Sequence, residues 1–189
     1  MCGVKFFYTS NPRFPLAPLA PLAGASASAS ASASLPSTTS PLSQSEPPVQ
    51  LHITLLDSSF NPPTLAHLAL ASHHAPPSLR PCQAHILALS AKNVDKPGAD
   101  SRSVQLRLEM MTHLAKEMVR RAGLKSGSEA EPGWANVGVL LLEEPTFVGK
   151  STLVKNALED RIKEMTGNEF GPRVIETQVK LTFVVGKLA

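Results

Sequence analysis

The chain has 189 residues, with 18 Lys and Arg against 15 Asp and Glu for a formal charge of +3, and it is long enough for one domain with a real core. Its two cysteines, Cys2 and Cys82, exclude a disulfide scaffold and point to a reducing compartment. Scattered basic residues and 5% aromatics argue against a nucleic-acid partner, and Pro15, Pro18 and Pro21 interrupt the best apolar run, so no membrane span is expected.

Residues 1–49 contain a Pro-Leu-Ala repeat, a run of Ala-Ser pairs and further Ser, Thr and Pro. Such a mixture buries too little apolar surface to offset its ordering entropy, so the segment is expected to be disordered and to stay out of the core. Lys5 and Arg13, with no acidic residue before Glu46, fit a mitochondrial transit peptide, but the prolines oppose an amphipathic helix. Cytoplasm or nucleus is the expected location, with mitochondrial targeting the alternative.

From residue 50 onward, strand-like and helix-like segments alternate in a second unit, 50–189. Apolar, strand-length runs lie at 51–56, 84–90, 135–142 and 180–186, each bounded by Pro, Gly or polar clusters. A first helix is predicted from about Pro62 to His74, with Asn61 as its cap, because Pro62 and Pro63 suit a first helical turn and Pro76-Pro77 stops it. In the second helix Val104, Leu108, Met111, Ala115 and Met118 recur at helical spacing. The third starts near Lys150, carries Leu153, Ala157, Leu158, Ile162 and Met165 on its apolar side, and ends at Gly167. Four strands separated by three helices imply right-handed crossovers and a parallel α/β sheet covered on both faces. Ligands of such sheets sit beyond the carboxyl ends of the strands, where the strand order reverses.

The segment Asp57-Ser-Ser-Phe-Asn-Pro-Pro-Thr-Leu-Ala-His67 falls at one such end, directly after Val49-Gln-Leu-His-Ile-Thr-Leu-Leu56. Strand, turn and helix start place Thr64 and His67 three residues apart on one helix face, near free backbone N–H groups, where an anion is favoured. From the residues alone, His67 reads equally as a half-buried helix residue and Thr64 as a cap. His73-His74 beside His67 lack metal-ligand geometry, since adjacent helical residues face apart.

Ser59-Phe-Asn-Pro-Pro-Thr-Leu-Ala-His-Leu68 closely resembles the G-S-F-N-P-x-T-x-x-H-L pattern of the nucleotidyltransferase superfamily with an H/T-x-G-H motif, in particular its nicotinamide mononucleotide adenylyltransferase branch with the fungal relatives. Ser58 and Ala66 stand where that pattern has glycine. The resemblance implies a Rossmann-like parallel sheet with helices on both faces and transfer of AMP from ATP to nicotinamide mononucleotide, giving NAD and pyrophosphate, with Mg2+ accompanying ATP. It places the catalytic roles on His67, at the α-phosphate, and Thr64, and nucleotide binding on Ser58, Ser59, Phe60 and Asn61. Lys92 and Lys96, in the polar loop Ser90-Ala-Lys-Asn-Val-Asp-Lys96, match a lysine-bearing loop of the branch, although a solvated loop fits them as well. Arg107-Leu-Glu-Met-Met111 is similar to its R-x-x-M helix, with a salt-bridged surface as the other reading.

Gly149-Lys150-Ser151 imitates the end of a phosphate-cradling loop, but Glu144 stands where that loop needs glycine, so it is read as the entry to the third helix, with Ser151 or Thr152 near the cap and Lys150 still a candidate contact for a substrate phosphate. At the other end, Leu181-Thr-Phe-Val-Val-Gly186 begins like the family's fourth strand and its G-x-D segment, which makes Gly186 a candidate nucleotide contact; Leu188 stands where the aspartate would be. The resemblance covers about 50–186, and the family's later I-S-x-T-x-x-R-like phosphate clamp is not present, so a domain incomplete at its C-terminal end is expected. Two other readings stay open: a non-catalytic nucleotide- or partner-binding remnant, and a nucleotidyltransferase with another phosphate acceptor.

Overall fold

The computed structural model describes residues 3–16, 49–72, 82–91, 100–124, 135–170 and 177–184. In chain order they form β1 (Val4–Thr9), β2 (Val49–Asp57), α1 (Leu65–Ala71), β3 (Ala84–Ser90), α2 (Ser101–Leu124), β4 (Val137–Leu142), α3 (Phe147–Phe170) and β5 (Thr177–Val184). The strands make one sheet in the order β1-β4-β3-β2-β5. Four of them run parallel: β2 pairs with β3 and with β5, and β3 with β4. The fold is α/β with a mixed sheet, because β1 joins β4 antiparallel.

The central strands are buried on both faces, which explains why β3 reads as a nearly unbroken apolar run rather than an alternation. Successive side chains still point to opposite faces. Leu51, Ile53 and Leu55 of β2, Ala84, Ile86 and Ala88 of β3, and Leu140 and Leu142 of β4 pack with Val154, Leu158 and Ile162 of α3. Leu56, Leu87, Leu89, Val137 and Val139 face the other way, onto Leu68 and Ala71 of α1 and Leu108, Met111, Ala115 and Met118 of α2. Helices therefore cover both faces, and the predicted apolar stripe of α2 is the one buried, with Val104 packed at its margin. Among the described residues no helix is long and apolar enough to cross a membrane.

β1 corrects the expectation that residues 1–49 stay outside the core, as far as residues 3–16 are concerned. Val-Lys-Phe-Phe-Tyr-Thr is β-branched and aromatic, a good strand by itself, and the repeats that dominate the segment's composition lie beyond it. The following turn is fastened as well. Phe14 is fully buried, with its ring against Gly138, where an added Cβ would come within 2.6 Å of Cζ. Arg161 Nε donates to Phe14 O at 2.6 Å and Asn136 Nδ2 to Pro15 O at 2.6 Å. Residues 17–48 lie outside the described residues.

Two helix starts also differ from the sequence expectation. α1 begins at Leu65 with Thr64 as its extended N-cap, not at Pro62 with Asn61 as cap. A proline disfavours helical geometry in the residue before it, and Pro63 imposes that on Pro62 just as Pro62 does on Asn61, so the helix waits until both are passed. α3 begins at Phe147 rather than near Lys150: Gly149 N–H donates to Thr146 Oγ1 at 3.2 Å and Lys150 N–H to Thr146 O at 3.0 Å, which makes Thr146 the cap instead of Ser151 or Thr152. It runs on past Gly167 to Phe170.

Candidate functional site

The chain climbs outward through β2, β3 and β4, then returns along α3 to place β5 on the other side of β2. Strand order thus reverses between β2 and β5, and the carboxyl end of β2 is Asp57, the first residue of the motif segment. Ser58 N–H still donates to Ala88 O at 3.3 Å, holding the departing chain against β3. Phe60 has φ of 44°, a left-handed backbone that a bulky side chain rarely adopts. Its burial compensates: Phe60 has no exposed surface and its ring lies 4.9 Å from that of His67, tilted by 34°. Phe60 therefore supports the histidine ring, and its side chain is closed off from the surface.

Both ring nitrogens of His67 are engaged inside the segment. Nδ1 accepts the Thr64 backbone N–H at 3.0 Å and lies 2.8 Å from Thr64 Oγ1, and Nε2 lies 2.9 Å from Ser58 Oγ. A nitrogen that accepts an amide N–H carries no proton, so the neutral ring has its proton on Nε2, which donates to Ser58 Oγ. Partial burial holds the His67 pKa below its ordinary value of 6.5, which favours that neutral form at neutral pH. His67 at the third helical position plays the part that Glu or Gln takes in a capping box, reaching back to the cap's N–H. Thr64 and His67 therefore tie the helix start together while Nε2 faces the strand end. Ser59 and Asn61 are exposed in the same turn.

A second cluster, which the motif does not contain, adjoins this turn. Asp57 Oδ1 accepts Ser90 Oγ–H at 3.0 Å, at the end of β3, and Asp57 Oδ2 accepts Lys150 Nζ–H at 2.6 Å, from the first turn of α3. The side chains are only 6% exposed for Lys150 and 16% for Asp57. Gly149-Lys150-Ser151 is accordingly helix entry, as read from the sequence, and its lysine points into the sheet end. Glu144 closes the entry by accepting Thr146 N–H at 3.0 Å and Thr146 Oγ1–H at 2.5 Å. Sequence reasoning gave no role to Asp57 or Ser90. A lone acid after an apolar strand carries no signal, and its partner Lys150 lies 93 residues away.

Lys92, Lys96 and Gly186 lie outside the described residues, as do His73 and His74. Arg107 is half-buried on α2, and its Nε makes no hydrogen bond among the described residues. Exposed apolar side chains ring the same end of the sheet: Leu65 at the start of α1, and Phe147 and Val148 at the start of α3, with the Phe147 ring 4.2 Å from that of Phe183 on β5. Among the described residues no group of three or more His, Cys, Asp or Glu side chains is placed to hold a metal ion. The one carboxylate at the motif, Asp57, is already taken by Ser90 and Lys150, so the described residues do not build a magnesium site.

The chain matches no family model, no curated protein and no solved structure.

Proposed function

We propose that the Ser58–His67 segment binds the phosphates of a nucleotide, and that the chain is a Rossmann-like nucleotidyltransferase of the nicotinamide-nucleotide adenylyltransferase type. The observation that carries this reading is the hydrogen-bonded set Ser58, Thr64 and His67, gathered at the carboxyl end of β2 beside the reversal of strand order. The order of the four parallel strands, β4-β3-β2-β5, supports the finer fold assignment, since it is that of the first four strands of a doubly wound nucleotide-binding sheet counted from β2.

In the proposed reaction a phosphate oxygen of nicotinamide mononucleotide attacks the α-phosphorus of ATP. A P–O bond to that oxygen forms, the bond to the bridging oxygen breaks, and pyrophosphate leaves. Such a transfer asks the protein for positioning and for donors where negative charge gathers, not for covalent chemistry. His67 Nε2–H, turned from Ser58 to an α-phosphate oxygen, supplies one donor, and the Thr64 hydroxyl a second. Magnesium would arrive with the triphosphate and neutralise part of its charge.

The test is NAD formation from ATP, Mg2+ and nicotinamide mononucleotide by the purified chain, with a His67→Ala variant beside it. One preorganised donor is worth roughly 3 to 4 kcal/mol, so kcat should fall by about 100- to 1,000-fold. Equal activity in the variant would remove His67 from the chemistry. A second reading, nucleotide binding without turnover, has one observation in its favour: both nitrogens of His67 are satisfied within the chain. ATP binding by a folded chain that makes no NAD would select it.

A further inference from the structure

An anion seated at the Ser58–His67 turn would share its strand end with a carboxylate, because Asp57 is the residue immediately before Ser58, its side chain turned to the α3 face. A charge in so sheltered a place is weakly screened, and two like charges separated by a few residues' width repel appreciably. The chain answers with Lys150. Its ammonium lies 2.6 Å from Asp57 Oδ2, and with the side chain only 6% exposed it has little surface left to offer a ligand directly. Ser90 takes the other carboxylate oxygen at 3.0 Å, so Asp57 cannot swing away from the turn without breaking both contacts. Glu144 is the other acid near Lys150, but it is half-buried and its carboxylate is occupied by Thr146.

We propose that Lys150 is a positioning residue that neutralises Asp57, and that the Asp57–Lys150 pair sets the affinity of the adjoining turn for anionic ligands, nucleotide phosphates above all. The proposal rests on the phosphate-binding reading of that turn and adds the group that makes the reading electrostatically workable. It predicts a charge pattern rather than a simple loss. Asp57→Asn keeps the shape, with its amide oxygen accepting from Lys150 and its amide nitrogen donating to a turned Ser90 hydroxyl, but leaves the ammonium uncompensated. Lys150→Met does the reverse, and Asp57→Asn with Lys150→Met restores neutrality.

The experiment is calorimetric titration of the full chain and the three variants with ATP-Mg2+ and with adenosine, at low and at moderate salt, with a thermal melt to verify folding. Asp57→Asn should bind ATP about fivefold more tightly, an order-of-magnitude figure for removing one like charge near a site at low salt. Lys150→Met should bind it more weakly by a similar factor, and the double variant should return to within about twofold of the parent. Both shifts should shrink with salt, and adenosine, which carries no charge, should bind all four proteins alike. Should Lys150→Met fail to fold, Asp57→Asn and the double variant still decide the matter. Unchanged or weaker ATP binding by Asp57→Asn overturns the proposal. So does a double variant as weak as Lys150→Met, which would put Lys150 on the phosphate itself, or a parallel loss of adenosine, which would make the pair merely structural. Absence of ATP binding by the parent also overturns it. The expected pattern without any NAD formation would leave this proposal standing and sink the adenylyltransferase reading alone.

Discussion

His85 should make the fold acid-sensitive in a defined window. It lies on β3, 2% exposed, with Nδ1 2.5 Å from the buried Thr54 hydroxyl on the neighbouring strand. Burial lowers its pKa from 6.5 to about 4. In the folded chain the ring stays neutral down to about pH 4, while in the unfolded chain it takes up a proton below about pH 6.5. Between those values the unfolded state binds more protons, so stability falls as the pH falls, and His85 contributes no further loss below about pH 4. The drop is worth about 3 kcal/mol at roughly 1.4 kcal/mol per pH unit, a large part of the total stability of a small domain. His67 also has a lowered pKa and acts in the same direction, so the informative quantity is a difference between proteins. Urea denaturation at pH 7 and at pH 4 should show that wild type loses about 3 kcal/mol more than His85→Asn, whose amide can still bond to Thr54 but does not titrate. Equal losses in the two proteins would mean that His85 is not held neutral by burial, and the reasoning would fail.

Three further outcomes follow from the packing and the hydrogen bonds. Phe14→Ala should cost about 3–5 kcal/mol by chemical denaturation, the usual price of emptying a phenylalanine site; a loss under about 1 kcal/mol would mean that the turn after β1 is not part of the core. Gly138→Ala drives a methyl to within 2.6 Å of Phe14 Cζ and should cost about 1–3 kcal/mol, less in a Phe14→Leu background, since the strain is specific to that ring. Ser58→Ala removes the acceptor that holds His67 Nε2–H. Breaking such a bond costs a net 0.5–1.5 kcal/mol, so ATP should bind about two- to tenfold more tightly to the variant, and weaker binding by titration would instead place the Ser58 hydroxyl on the ligand.

The three helices were legible from apolar residues repeating at helical spacing on the buried face, and the four parallel strands from short apolar runs bounded by Pro, Gly or polar clusters, the pattern of strands covered on both faces. β1 was hidden by its neighbours: Val4–Thr9 is a strong strand, but it precedes a long low-complexity stretch whose composition governs any average taken over the segment. That Ser58, Thr64 and His67 would share one turn was legible because they lie within ten positions of one another. Asp57, Ser90 and Lys150 were not, since their contact joins three elements and no local rule connects a strand-end acid to a helix-entry lysine. The lysine of the imitation phosphate loop around Gly149 serves the sheet end through Asp57 rather than through a backbone cradle.

The two departures from the glycine-bearing motif have unequal weight. Ala66 is exposed, and its methyl occupies the second position of α1, where alanine favours the helix and none of the hydrogen bonds of the turn depends on it. Ser58 is half-buried, and its hydroxyl enters the bonding of the turn. A glycine there would leave His67 Nε2–H with no side-chain acceptor on that side and ready for a phosphate oxygen. With serine the histidine is held in its neutral tautomer and in a fixed orientation before any ligand arrives, but an incoming phosphate must compete with the hydroxyl for the same proton. On the proposed phosphate-binding reading that competition is the cost of serine at this position, and it is the cost that Ser58→Ala removes. On the proposed reading, serine rather than glycine at position 58 changes how the turn is primed for an anion, and Ser58 and Asp57, one residue earlier, each shift its affinity by a similar factor.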